Sequence, residues 1–140
     1  MANTQAISGI MKQVALGAVV DGKTLKAALY LASATTNGTN TAYTATGEVS
    51  GSGYSAGGVS VTNANTAGLT STTAYWTPSA SIAFGTVTLA TAFDAVMIYS
   101  TTDTNRNIGV FTFGSQTVTA GSVTLTMPVN DSSTGLVRFA

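Results

Sequence analysis

The chain has 140 residues, five basic and five acidic side chains for a formal net charge of zero, and neither cysteine nor histidine. Those absences exclude a disulfide framework, thiolate metal sites, thiol nucleophiles, and the commonest general base and metal ligand. Charged residues make up 7% of the chain against roughly 25% of an average soluble domain; the cations Lys12, Lys23, Lys26, Arg106 and Arg138 are scattered, unlike the clustered cations that nucleic-acid binding requires.

In chain order, Ile7, Ile10, Met11, Val14 and Ala18 recur at three- and four-residue spacing, which predicts a short amphipathic helix over Gln5–Ala18 with that stripe as its apolar face. Asp21-Gly22 marks a turn. In "TLKAALYLA", Thr24–Ala32, Leu25, Ala27, Leu29 and Leu31 alternate with Lys26, Ala28 and Tyr30, as in a strand with one apolar face. Ser33–Gly47 lacks periodicity and is rich in Thr, Asn and Gly, so it reads as a long surface loop. Val59 and Val61 open the next strand. Further strands are expected at Ala74–Thr77, Ile82–Leu89, Phe93–Ser100, Ile108–Phe113, Ser122–Met127 and Leu136–Phe139, with hairpin tips at Asn105–Asn107 and Thr119–Gly121. The clearest period of two is in "SVTLTMP", where Val123, Leu125 and Met127 face away from Ser122, Thr124 and Thr126.

Many short strands separated by turn signals, with no linker and no internal repeat, predict one all-β domain over residues 1–140. The architecture expected is an antiparallel, jelly-roll-like β-sandwich with residues 1–20 as a short N-terminal helical arm. Thr and Ser account for 40 residues, and β-branched Thr favours the pleated sheet. A neutral, hydroxyl-rich surface lacks the repulsion that keeps ordinary proteins apart, so a subunit packed against other subunits is expected. No run reaches the 18 apolar residues of a membrane span. "MANTQAISGIMKQVALGAVV" lacks a basic start and carries Lys12 in its middle, so it reads poorly as a secretion signal; synthesis in the cytoplasm without membrane association is the expectation.

Four constellations bear on chemistry. "GEVSGSGYSAGGVSV", Gly47–Val61, places Gly51, Gly53 and Ala56 at the G-x-G-x-x-G/A spacing of a dinucleotide loop. That loop must open a helix and be followed about 20 residues later by a ribose-binding acid. Here a strand follows, and no Asp or Glu lies between Glu48 and Asp94, so the glycines read as turn formers and no cofactor is expected. "DTNRN", Asp103–Asn107, starts like a calcium loop but has Ile108 and Gly114 where that motif needs Gly and Glu, so no metal is expected. Glu48, Asp94, Asp103 and Asp131 are lone acids without a framing motif, and no serine has a histidine to activate it, so no catalytic residue is assigned and enzymatic activity is not expected. Tyr43, Tyr54, Tyr75 and Trp76 are left as candidate interface anchors, or as a stacking platform for a sugar.

The order of segments over nearly the whole chain resembles a group of small tailed-phage virion structural proteins. The residues that carry the resemblance are "LGAVVDGKTLKAALYLAS" at Leu16–Ser33, "GEVSGSGYSAGGVSV" at Gly47–Val61 and "IAFGTVTLATAFDAVMIYSTT" at Ile82–Thr102, followed by "IGVFTFGS" at Ile108–Ser115 and "SSTGLVRFA" at Ser132–Ala140. The most specific element is E-V-x-G-x-G-Y-x-A-G-G. The chain departs from the group's pattern at Phe84, where Trp is usual, at Thr112, where the group has Asp, and at Asp94, where Arg-Tyr is common. The resemblance implies a β-sandwich virion protein on the capsid surface. The role expected from it is a capsid decoration (cement) protein, a homo-oligomer with a trimer favoured, whose partner is the major capsid protein. The alternatives are a tail or neck component, or a carbohydrate-binding module on the virion.

Overall fold

The computed structural model describes residues 3–140. One helix, α1 (Gly9–Val20), precedes seven strands, β1 (Leu25–Leu31), β2 (Val59–Val61), β3 (Gly68–Thr70), β4 (Thr73–Trp76), β5 (Ile82–Ser100), β6 (Arg106–Leu125) and β7 (Val137–Phe139). They form two antiparallel sheets, one of four strands in the order β2-β1-β5-β6 and one of three in the order β3-β4-β7. Leu25, Ala27 and Leu29 of β1, Ile82, Val87 and Phe93 of β5, and Ala74 and Trp76 of β4 join one apolar cluster, so the two sheets share a core. The fold is the expected all-β sandwich with an N-terminal helix.

Two predicted pairs of strands are each one long strand. β5 runs 19 residues and β6 runs 20. Only Phe93–Ser100 of β5 also pairs with β1; among the strands residues 82–92 pair with β6, and Thr88 adds one bridge to Ser52 of the glycine-rich loop. The polar breaks that suggested separate strands are irregularities in pairing, with register shifts between Ala83 and Thr86, Val87 and Leu89, and Leu89 and Phe93. Such bulges bend a ribbon without ending it. Thr119–Gly121 is therefore no hairpin tip. Ala120 adopts a φ of 46° inside β6, and its N–H donates to Thr88 Oγ1 at 3.0 Å. The other predicted tip sits slightly early in the chain, at residues 101–105, with Thr104 and Asn105 at φ 54° and 59°, and Asn107 already in β6. One strand, β3, was not anticipated; a two-residue turn with Ser71 at φ 55° joins it to β4.

The helix exists, shifted to Gly9–Val20, and the apolar stripe is not the face that meets the sheets. Its buried residues are Leu16 and Val20, packed over β3 and β4. Ile10, Met11 and Val14 point outward at 57, 59 and 65% exposure, with Ile7 beside them at 61%. The inward face is small and polar in its first half. Gly9 lies against the backbone of Ser71 and Thr72, Lys12 Nζ donates to Thr72 O at 3.1 Å, and Gln13 Nε2 donates to Ala67 O at 2.9 Å. The helix is thus fixed by close approach and by hydrogen bonds to carbonyls, which no hydrophobic periodicity reports. At its other end Asn63 Nδ2 donates to Val20 O at 2.6 Å and Lys23 O at 3.1 Å, while Asn63 Oδ1 accepts from Trp76 Nε1 at 3.1 Å. One asparagine links the helix terminus to the central tryptophan. No helix among the described residues is long and apolar enough to cross a membrane.

Candidate functional site

The glycine-rich stretch lies flat on the four-stranded sheet. Its start is stitched to β1, since Leu31 N–H donates to Gly47 O at 2.9 Å and Val49 N–H donates to Leu29 O at 3.0 Å. Farther on, Gly51 and Gly53 cross β5 so closely that a Cβ at either would strike the carbonyl oxygen of Thr88 or Thr86. Gly58, at φ 73°, meets the Ala27 carbonyl of β1 in the same way.

Inside this loop the Glu48 carboxylate is the organising group. Oε2 accepts from Tyr43 Oη at 2.6 Å, and Oε1 accepts from Tyr54 Oη at 2.7 Å and from the Gly57 N–H at 2.8 Å. Tyr54 Oη in turn accepts from the Leu29 N–H at 3.0 Å. Tyr99 Oη donates to Gly57 O at 2.7 Å, and its ring stacks on Tyr43 with centroids 4.8 Å apart. Tyr30 Oη completes the group by donating to Thr44 O at 2.6 Å. This is a closed polar network in which every hydroxyl has a partner, and such networks fix one backbone arrangement.

The network also answers the phosphate question. The amide that a phosphate would need, Gly57 N–H, already donates to a carboxylate, and that negative charge at the loop's centre repels an anion. β2, not a helix, follows the loop. The glycines and Glu48 form a seam that holds the loop to its own sheet.

Burial pushes the Tyr30 hydroxyl up to about 12. Burial first, and the neighbouring Glu48 second, also raise Tyr43, Tyr54 and Tyr99. A phenol whose folded value exceeds its unfolded value of 10.0 contributes stability that is complete below that pH and is lost as pH rises through the folded value. The thermal midpoint should accordingly stay level toward pH 9 and fall between pH 10 and about 12, a window set by the Tyr30 shift. A scan of melting temperature against pH that showed no alkaline loss before pH 12 would contradict the burial of the Tyr30 hydroxyl.

The candidate anchors fall into different roles. Trp76 is wholly buried, so it offers no surface to a partner or a sugar, and the expectation that it could do either is corrected. Its indole fills the core, with the N–H satisfied by Asn63. Tyr43 and Tyr54 spend their hydroxyls on Glu48 and anchor the chain's own loop. Tyr75 is half-buried on β4, with its ring over Gly68. The stacking platform is therefore not assembled. Sequence alone marks Glu48 only as a lone acid and gives no reason to single out Tyr99. The spacing Glu48–Tyr54–Gly57 within the loop was the signal, but the partners Leu29, Tyr43 and Tyr99 come from elsewhere in the chain.

The remaining acids lie on separate segments. Asp103 Oδ1 pairs with Lys23 Nζ at 3.2 Å and Oδ2 accepts from Ser100 Oγ at 3.3 Å, so "DTNRN" is a pinned turn between β5 and β6. Lys23 first, and the Ser100 hydroxyl with it, hold the Asp103 carboxyl below its usual range. Asp131 Oδ1 accepts from the backbone N–H groups of Ser133 and Thr134 in the loop before β7, which holds its carboxyl at about 2. Among the described residues, no three Asp or Glu side chains gather as a metal ligand set.

Two surfaces are left open. One is the outward stripe of α1. The other is a groove of about 550 Å³ along β5 and β6, floored by Val96, Ile98, Phe111, Phe113, Leu125 and Met127. It runs beside β6, which forms the edge of its sheet and carries one charged residue, Arg106, in 20. No protein-family model matches this chain. No curated protein and no solved structure matches it either.

Proposed function

We propose that the protein is a structural subunit of a phage virion, a capsid decoration (cement) protein that bridges neighbouring major capsid subunits on the outer surface of the head. The observation that carries the reading is a surface with almost no charge on the two features where soluble proteins usually place it. A sheet edge is ordinarily protected by Lys, Pro, bulges or short length, yet β6 spans 20 residues with Arg106 as its only charge, and past the bridge from Ala42 to Arg106 no strand pairs with its outer side. An exposed helix face is ordinarily polar, yet α1 presents Ile10, Met11 and Val14. Surfaces of this kind suit permanent packing against other subunits. The likeness of the E-V-x-G-x-G-Y-x-A-G-G segment to small virion proteins supplies the setting.

In such a clamp, shape and area supply affinity, with a few apolar anchors carrying most of it. Homo-oligomers, with a trimer favoured, would let one cement unit hold several capsid subunits at a symmetry axis. No step of chemistry is needed for that role. Fractionation of purified particles tests it: the protein should be found with DNA-filled heads by mass spectrometry. Recovery with detached tails would move it to the tail or neck, and absence from virions would end the proposal. The burial of Trp76 and the commitment of Tyr43 and Tyr54 to Glu48 count against the carbohydrate-binding alternative.

A further inference from the structure

We propose that Asn37 is a self-modifying site, at which the Gly38 backbone nitrogen attacks the Asn37 side chain and water completes its conversion to isoaspartate or aspartate. Asn37-Gly38 is the one Asn-Gly step in the chain. The nucleophile in such a ring closure is the next residue's backbone nitrogen, and a side chain on that residue would crowd it. Gly38 has none, the space where a Cβ would stand holds no atom within 4 Å, and both residues are exposed to the water that the reaction consumes. Among the described residues, neither the Gly38 N–H nor Asn37 Nδ2 has a hydrogen-bond partner, so both are free to react.

The turn supplies the geometry. Asn37 O accepts from the Asn40 N–H at 3.1 Å, and the Asn37 N–H donates to Asn40 Oδ1 at 2.8 Å. Asn37 Oδ1 accepts from the Thr39 N–H and from Thr39 Oγ1, each at 2.8 Å. The ring closed by the Thr39 N–H bond contains both reacting atoms, Asn37 Cγ and Gly38 N, so the side chain is held bent over the peptide unit that attacks it. Both Thr39 donors also point at the oxygen on which negative charge develops when Cγ becomes tetrahedral. Donors placed at that oxygen stabilise an oxyanion.

Water and hydroxide are the only other reactants. Gly38 N gives its proton to hydroxide and bonds to Asn37 Cγ. The Cγ–Nδ2 bond then breaks, and Nδ2 takes a proton from water and leaves as ammonia. Water adds to the cyclic imide that remains. Opening between Cγ and Gly38 N gives aspartate, whereas opening at the Asn37 main-chain carbonyl gives isoaspartate, with the backbone rerouted through Cγ. Either product carries a new carboxylate, so five acids against five bases become six against five. Every other asparagine precedes a residue with a side chain, and Asn63 also has both ends of its amide engaged, with Val20 O, Lys23 O and Trp76 Nε1. Asp21 precedes Gly22, but a carboxylate is a poor electrophile and its Oδ1 accepts from the Ala67 N–H at 2.7 Å. The inference does not depend on the virion reading, because the reaction lies within one turn of one chain.

Peptide mapping by mass spectrometry, after the folded full-length protein has stood in mildly alkaline ¹⁸O-labelled water, tests it. Asn37 should convert about tenfold or more faster than any other asparagine, taking up labelled oxygen as it loses ammonia. Gly38→Ala, which the open space around Gly38 accommodates, should slow the conversion about tenfold. Thr39→Val removes the hydroxyl donor and keeps the N–H; it should slow the folded protein several-fold while leaving the urea-unfolded chains equal. Asn37 intact while another asparagine converts, or Gly38→Ala reacting as fast as the wild type, would overturn the site. Equal rates in folded Thr39→Val and wild type would overturn the part given to the Thr39 hydroxyl.

Discussion

Gly58→Ala is expected to leave little folded protein. At φ 73° the new side chain sits in a backbone region that L-residues occupy at a cost of roughly 1–2 kcal/mol. The larger effect is steric. The added Cβ would overlap the Ala27 carbonyl oxygen and lie 2.6 Å from the Ala27 carbonyl carbon and 2.8 Å from Ala28 Cα. All three atoms are backbone of β1, which is paired on both sides by β2 and β5. Nothing there can rotate away, so either the loop lifts off the sheet or β1 shifts within it. A loss on the order of 3–5 kcal/mol follows, a large part of the stability of a small domain. Gly22→Ala is the matched control, since it has φ 64° and open space around the new atom. It should cost only the backbone strain, about 1–2 kcal/mol. Denaturant midpoints of the two variants check the comparison, and equal losses would contradict the close contact.

The second large effect is expected at Glu48. Glu48→Ala removes the acceptor of Tyr43 Oη, Tyr54 Oη and the Gly57 N–H together. A partly buried donor left without an acceptor costs about 1–3 kcal/mol, and because the three share one network their sum is bounded by loop release, so a net loss of about 3–5 kcal/mol is expected. Glu48→Gln keeps an acceptor oxygen and should lose about half as much. The variants should also differ in alkaline titration. Burial remains the main cause of the raised tyrosine values, so Tyr54 still ionises above its ordinary pH, but without the carboxylate it does so earlier. Spectrophotometric titration of the phenols reads this directly. If Glu48→Ala melted like the wild type, Glu48 would have no organising role in the loop.

The sequence made the class of fold legible because the strands that matter most are strongly patterned. Leu25, Ala27 and Leu29 alternate as a sheet requires, and all three are buried. The join within β5 was hidden because bulges near Leu89 and Phe93 interrupt the period without interrupting the strand. The orientation of α1 is not legible for a different reason. Its strongest apolar stripe marks an apolar face without saying what that face meets, and the core contact uses Leu16, Val20 and a close glycine, with polar groups making the rest. The glycine-rich loop was correctly read as a structural corner, but its cause lies in long-range partners. Leu29, Tyr99 and Thr88 are remote in sequence from the residues they hold. Trp76 shows the same limit from the other side, since an aromatic near a strand end reads as an anchor for a partner until its burial is known.

The two open surfaces, the α1 stripe and the β6 edge, give the functional reading its physical content. The stripe is apolar and the β6 edge carries Arg106 as its one charge. The most direct test is a density map of the intact particle at side-chain resolution. This polypeptide should lie on the outer face of the head, with β6 or α1 in contact with neighbouring subunits. Density for it in the tail alone, or a head whose outer surface lacks it, would contradict the account.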